Sequence, residues 1–568
     1  MINITLGCFA SSIIIISYGI LFDKSILKKK IQEIDYYEVG IFGFILIGFL
    51  ALSINFIFPL NKIIGSIFFF ISIIYFLFHL IESQKKKELI LIICIMSFIT
   101  FSMLTLSNIN RPDAGLYHLP YISVLNENKI VTGITNLHYR FGHISIIQYI
   151  SAIHNNHLMK VEFLNAPLAS IFAVYTLFLV KKFRVSIHNK SHELIVIKFL
   201  IIVFSLYSFN RFSNYGNDIP SHIFFFILVI FLLEKFNLDK IDNTTFYKIS
   251  FISVFLFTLK PFMIIVLIIP LILLILNKNK FIILKDLRMI ICSVFILIWF
   301  IKNILTSGCL IFPIKETCFS NLNYFDKKIV NIASNEATAW SKGFPDQKKN
   351  KKLSLSEYNT NFNWFSTWKE NHFNKIKKKI LPFLFFVTLF VFPYMLKNSH
   401  NFNYQSKPKY NKSLILLTIF SFICSLYWFF YFPVYRFGLS FLATFLILIF
   451  SLIFFKFRNI RNIKYNYFWT IILILFIGVM GKNYSRIFSS YDKLYNNYPW
   501  PKIYTLKENE KNIEKEFKKI TDKKQKFLYY YSGGEECMYS KSPCTHMLND
   551  KLNKKVFLGY KIFYLQQN

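Results

Sequence analysis

The sequence predicts an all-α polytopic membrane protein of about fourteen transmembrane helices, carrying a small α+β domain at its C-terminal end on the outer face of the membrane. Three observations predict it. Of 568 residues, 54% are hydrophobic and the mean hydropathy is +0.43, too apolar for a water-soluble chain of this size. Apolar stretches long enough to bridge a bilayer recur from one end of the chain to the other. The Lys and Arg residues behind the net charge of +36 gather in short clusters between those stretches instead of lining one polar face. That distribution argues against nucleic acid and makes the lipid bilayer the expected partner.

A bilayer core takes about 20 apolar residues to cross. The segments that qualify are 3–22, 38–58, 61–80 and 89–107, then 160–180, 194–210, 219–234, 246–259, 261–277 and 287–306, and finally 379–396, 413–432, 437–456 and 466–481. The first resembles a signal peptide, but its basic residues (Lys24, Lys28, Lys29, Lys30) follow it and no small-residue cleavage site is present, so it reads as a retained span. Lys260 and Pro261 interrupt the 246–277 stretch.

Short cytoplasmic loops hold the Lys/Arg excess of a membrane protein. Placing Lys24–Lys30, Lys85–Lys87, Lys181–Arg184, Lys278–Arg288, Lys407–Lys412 and Lys456–Lys464 inside leaves 108–159, 211–218, 307–378, 433–436 and the tail from 482 outside, with both termini outside. The chain then divides into three accessory spans (1–88), a membrane core (89–481) with outer loops 108–159 and 307–378, and an outer cap (482–568). Within the cap, the charged 506–525 segment reads as helix, whereas KFLYYYS (526–532) and KVFLGYKIFYL (555–565) have the aromatic and β-branched content of strands.

The cysteines test the orientation independently, since disulfides form in oxidising compartments. Cys309 and Cys318 share one proposed outer loop, and Cys537 and Cys544 share the cap. Each pair forms a disulfide or stays as two thiols. The spacing is not that of a zinc site, and Cys8, Cys94, Cys292 and Cys424 fall inside spans.

Chemistry is expected where the fourth span ends, at RPDAGLYHLPYI (111–122). A carboxylate leaving the membrane, dry on one side and wet on the other, suits a general base, and Asp113 is so placed; pairing with Arg111 or capping a helix would equally explain it. NLHYRFGHISII (136–147) adds His138, Arg140 and His143 to the same loop, whose segments read as interfacial helices over a cavity. No HxxxH or HExxH pattern marks the histidines as metal ligands. Further charges stand at outer span ends: Asp218, Lys260, Lys302 and Arg436. Charges at membrane depth are costly and default to functional candidates. Arg140, Lys260 and Arg436 suit a phosphate or pyrophosphate clamp, with a snorkelling Lys260 and a topology anchor at Arg436 as the plainer alternatives.

DAGLYHLPYISVLNENKIVTGITNLHYRFG (113–142) resembles the first outer loop of a poorly characterised family of bacterial multi-spanning proteins associated with surface-polysaccharide genes, itself similar to the GT-C glycosyltransferase superfamily. NDIPSH (217–222), TLKP (258–261), SGCLIFPIKETCF (307–319), YRFG (435–438) and ECMYSKSPCT (536–545) carry the resemblance further along the chain. It implies a GT-C-like core in a bacterial inner membrane and an inverting enzyme that moves a sugar from a polyprenyl-phosphate donor to a glycan or glycolipid acceptor on the periplasmic or extracellular side. Asp113 takes the base role by this resemblance, and His118, His138, Arg140, Asp218, Lys260 and Arg436 take substrate. GT-C enzymes often place two acidic residues in this loop, whereas Asp113 is followed by Ala114 and Gly115; a divalent metal ion stays open as a cofactor. Nucleotide cofactors are not expected, because no GxGxxG or GxxxxGK[ST] stands in a strand-to-helix context. The alternatives are an envelope polysaccharide polymerase or ligase, which relies on arginines, and a non-catalytic lipid-carrier-binding or transport protein.

Overall fold

The computed structural model describes residues 2–105, 113–159, 161–209, 215–235, 242–277, 279–346, 353–397, 399–401, 412–460, 465–489, 496–497, 500–501, 517–522 and 525–566. The chain is mostly helical. In order come α1 (Ile2–Ser25), α2 (Val39–Asn55), α3 (Lys62–Glu82), α4 (Lys86–Thr105), the short α5 (Leu119–Glu127) and α6 (Ile146–Ile153), α7 (Ala166–His188), α8 (His192–Ser208), α9 (Asp218–Lys235) and α10 (Asn243–Leu259). A 3-10 segment (Pro261–Leu267) leads into α11 (Ile268–Leu276), followed by α12 (Lys280–Lys285), α13 (Leu287–Ser307), α14 (Lys327–Ser341) and α15 (Leu355–Asn359). The last helices are α16 (Phe365–Lys397), α17 (Lys412–Tyr431), α18 (Leu439–Phe457) and α19 (Tyr465–Ser489).

Each of the fourteen apolar segments read from the sequence falls on helix, but the helices differ in reach. Eight are long and apolar enough to cross a membrane among the described residues, and three shorter apolar ones accompany them (Val39–Asn55, Pro261–Leu276, Leu439–Phe455). The outward face is hydrophobic, with Phe70, Phe78, Leu271, Ile275, Leu473 and Ile477 exposed. An apolar surface of this extent belongs against lipid, so the chain is a multi-pass membrane protein.

Local chemistry sets the helix boundaries. Asn61 caps α3 by accepting from the Ile64 amide, and Asp326 caps α14 by accepting from the Ile329 amide. Gly308 closes α13 in the left-handed region (φ 78°), as a C-terminal glycine does. Pro261 lacks an amide hydrogen, so α10 ends at Leu259 and Lys260 is extended (φ −153°, ψ 116°). The first three helices share one core with the rest, α1 packing on α2, α4 and α7. Gly19 and Gly43 let the α1 and α2 backbones meet: a Cβ at Gly19 would fall 2.0 Å from the Val39 carbonyl, and one at Gly43 2.0 Å from that of Ile15.

The C-terminal domain is a small set of strands. β1 (Lys518–Thr521) pairs antiparallel with β2 (Phe527–Tyr531), which pairs parallel with β3 (Cys544–Thr545), while β4 (Leu552–Phe557) and β5 (Tyr560–Leu565) form a hairpin turning at Leu558–Gly559. This corrects the helix expected over 506–525. Residues 518–521 are strand, because alternate side chains of KKIT pair across to the aromatic run 527–531 and tertiary pairing overrides the local charge pattern; residues 502–516 lie outside the described residues. Both expected disulfides are formed, Cys309–Cys318 and Cys537–Cys544, and the other four cysteines are free thiols.

The cap is docked on the first loop. The Met538 amide donates to the Gly115 carbonyl (2.9 Å), the Tyr539 hydroxyl to Asn126 Oδ1 (2.9 Å) and the Ser542 amide to Glu127 Oε2 (2.9 Å), while Thr132 and the β5 strand exchange backbone hydrogen bonds. Residues 113–153 therefore sit between the helical bundle and the cap as short helical turns, α5 and α6.

Candidate functional site

Five separate segments meet at one end of the bundle. Asp113 begins the turn 113–118, Arg140 lies in a 3-10 turn after His138, Asp218 starts α9, Lys260 stands in the break after α10, and Arg436 occupies the turn between α17 and α18. Arg140 pairs with Asp113 Oδ1 at 3.4 Å, and Arg436 reaches both Asp113 Oδ2 at 3.8 Å and Asp218 Oδ2 at 3.3 Å. Lys260 donates to Asp218 Oδ1 and lies 3.1 Å from the centre of the Phe437 ring. The network is continuous, and it unites five of the residues singled out in the sequence.

Its positions are fixed from behind. His222, one turn along α9 from Asp218, donates from Nε2 to the Arg436 carbonyl (2.7 Å) while its Nδ1 accepts from Ser440 (2.8 Å). The indole of Trp368 donates to the Pro433 carbonyl and that of Trp428 to Val434 (2.9 Å), pinning the FPVYRFG turn. Asn217 donates to the Leu259 carbonyl (2.7 Å), tying the start of α9 to the end of α10 beside Lys260.

Within the ion-pair network three cations face two carboxylates, and two further carboxylates, Glu336 and Glu536, stand at its edge. The arginine contacts, at 3.3 to 3.8 Å, are longer than the tight 2.7–2.9 Å of a committed guanidinium–carboxylate pair. Arg140 and Asp113 are each 27% exposed and Arg436 35%, so the arginines are open enough to receive an anion. Asp218 chiefly, with Asp113, holds the Arg436 guanidinium above its ordinary pKa against burial. Burial opposes the Arg140 charge, but Tyr139, Tyr117 and Asp113 outweigh it and raise its pKa. Both arginines are permanent charges.

The histidines are arranged differently. His118 is buried, with Nδ1 beside Gln148 Nε2 at 3.2 Å, and burial lowers its pKa to about 4 against the pull of Asp113 and Asp218. His138 packs behind Arg140, accepting from its amide at 3.1 Å and facing His546 with ring centres 4.8 Å apart; burial first, then His546 and Arg140, push it well below the usual value. His143 lies edge-on to Phe312 and is lowered to about 4 by burial and Arg140. All three are neutral supports near pH 7. Among the described residues no group of three His, Cys, Asp or Glu could hold a metal ion. Lys302 does not join the site: it is buried against the Trp299 ring, 3.8 Å away. Arg111, the alternative partner for Asp113, lies outside the described residues.

Several neighbours went unnoticed in the sequence. Tyr117, Tyr139 and Trp340 surround the Arg140 guanidinium at 5.5 to 5.9 Å, and Tyr139 donates to Glu336. Glu336 and Trp340 come from one face of α14, four residues apart, and Trp340 is half exposed. That spacing in the long 307–378 loop was the available signal. Glu536 of the cap lies over Gly115, where a Cβ would fall 2.1 Å from Oε2. No sequence pattern links positions so far apart.

A largely apolar groove of about 410 Å³ opens farther along the bundle, between Leu232 near the far end of α9, the Ile265–Leu276 stretch and Leu416–Ile423 of α17.

No curated protein and no solved structure matches the chain. A family model described as a domain of unknown function (DUF8201) matches residues 1–443, which takes in all five charged residues of the network, and the chain belongs to that family.

Proposed function

We propose that the protein is a GT-C-like membrane glycosyltransferase that moves a sugar from a polyprenyl phosphate to a glycan or glycolipid acceptor. The observation that carries this is the convergence of Arg140, Lys260 and Arg436, from distant parts of the chain, on one partly exposed cluster with Asp113 and Asp218 at the end of an apolar bundle. A phosphate monoester or diester offers the geometry that arginines bind bidentately, and the partly exposed Arg140 and Arg436 leave their guanidiniums accessible to it. As the bond to the sugar breaks, negative charge grows on the lipid phosphate, and preorganised cations stabilise that charge more than the ground state. Trp340, with Tyr117 and Tyr139, supplies rings against which a sugar can stack.

The two disulfides support an oxidising, outer location for this end of the bundle. Among the described residues the clusters Lys24–Lys30, Lys85–Lys87 and Lys181–Arg184 stand at helix ends away from the site, which supports that orientation. The protein would then sit in a bacterial inner membrane with the site and cap facing the periplasm or exterior.

The test uses the full-length protein in lipid vesicles. Decaprenyl phosphate should bind wild type and compete with pyrophosphate, and Arg436→Ala should weaken binding about 10- to 100-fold. Asp113→Asn should leave the protein folded and inserted but without sugar transfer from decaprenyl-phosphate-linked hexoses. Full transfer by that variant would remove Asp113 from the mechanism, and no binding of decaprenyl phosphate by wild type would refute the lipid-phosphate site.

A further inference from the structure

We infer that the group accepting the acceptor's proton is Glu536 of the C-terminal domain, and that Asp113 holds Arg140 and Arg436 in place. The inference rests on the sugar-transfer reading and changes who does what within it.

Asp113 lies between the two arginines, Oδ1 3.4 Å from Arg140 and Oδ2 3.8 Å from Arg436. A proton arriving there removes the negative charge that orients both guanidiniums of the phosphate clamp. Glu536 stands close by with no cation paired to it among the described residues. Its position is built. The Cys537–Cys544 disulfide and the Met538 amide bonded to the Gly115 carbonyl bring the segment down onto the 113–118 turn. Gly115, two residues past Asp113, has no side chain where the Glu536 carboxyl and the Met538 sulfur lie, and a Cβ there would meet them at 2.1 and 2.3 Å. Any larger residue at 115 would push the carboxyl off the turn.

The charged group that faces Glu536 from the turn is Asp113, itself paired with Arg140 and Arg436; Glu535 on its own segment is exposed. Burial, and then the Asp113 charge, hold the Glu536 carboxyl above the usual range. A carboxylate so raised takes up a proton more readily near neutral pH. In the step, the acceptor hydroxyl proton passes to Glu536 as its oxygen bonds to the anomeric carbon. The bond from that carbon to the lipid phosphate oxygen breaks, and its electron pair leaves on the phosphate held by Arg140, Lys260 and Arg436.

The experiment follows release of decaprenyl phosphate from decaprenyl-phosphate-linked glucose, mannose and galactose by the full-length protein in vesicles containing a total bacterial glycolipid extract. Glu536→Gln should lower the release rate by about 10²- to 10⁴-fold while decaprenyl phosphate binding stays within about twofold. Glu536→Asp should recover part of the rate and move the acidic limb of the pH–rate profile to lower pH. Wild-type rates in Glu536→Gln, or an unmoved acidic limb in Glu536→Asp, overturn the assignment while leaving sugar transfer intact. No release by wild type from any of the three donors counts instead against the sugar-transfer reading, and the assignment falls with it.

Discussion

The α9–α10 hairpin carries an ion network at each end, and the two have the same make-up with opposite design. At the site end, Asp113 and Asp218 meet Arg140, Lys260 and Arg436. At the other end, Glu38 and Glu234 meet Lys182, Lys198 and Lys248. Each holds three cations and two carboxylates. The far network is closed: its side chains are 0 to 15% exposed, and the extra lysine charge is absorbed by Ser186 Oγ (2.7 Å) and the Lys182 carbonyl (3.1 Å), both accepting from Lys198. The site network is open: Asp113 and Arg140 are 27% exposed and Arg436 35%, and beyond its carboxylates Arg140 has the Tyr139 hydroxyl at 3.3 Å and aromatic rings beside it. The comparison teaches that a charge count does not distinguish a clamp from a site. What distinguishes them is whether the charges are sealed from solvent or left within reach of it.

The largest expected effect lies in the closed network. Glu234→Gln strands two lysines in the interior and should destabilise the fold by about 3–5 kcal/mol, read by denaturant unfolding in mixed micelles, with transfer per folded molecule unchanged. A loss of activity without loss of stability would erase the contrast between the two ends. Next comes the open network, where Arg436→Ala should lower transfer by about 10²- to 10³-fold, equivalent to about 3–4 kcal/mol of transition-state stabilisation, with unfolding shifted little.

A third prediction concerns pH. His118, His138 and His143 are held below their ordinary pKa by burial, so the unfolded chain binds more protons than the folded one as pH falls from about 6.5. Stability should therefore be full above about pH 6.5 and decline toward the folded-state value of about 4 seen for His118 and His143. Hydrogen exchange should show the cap residues 526–566 loosening first, because His138 and His546 meet at their boundary. A flat stability profile across that window would mean the histidines are hydrated. The smallest effect is expected at Lys302, buried on Trp299 away from both networks. Lys302→Met should leave transfer unchanged and alter stability by no more than about 1 kcal/mol. A large loss of transfer there would enlarge the site beyond the five charges.

Much of this architecture was legible before any coordinates. The apolar segments fall on helices, and 527–531 and 552–565 form strands, because burying an apolar run and pairing an aromatic one are demands a local sequence states directly. The charged segment ending at 525 misled, since Lys518–Thr521 takes its conformation from its partner strand. At the site, Asp113, Arg140, Asp218, Lys260 and Arg436 were visible as costly charges at span ends. Their mutual pairing was not visible, nor were the roles of Trp340, Glu336 and Glu536.

The sequence by itself determined that this chain lives in lipid, where its helices start and stop, and which charges stand at their ends, since each follows from the hydropathy, capping residues and prolines within a turn or two of chain. Only the tertiary structure decided which of those charges face one another. Partner choice depends on helix packing and on a cap that returns more than four hundred residues later to cover the first loop, and at that separation nothing in the local chemistry of either segment fixes the other.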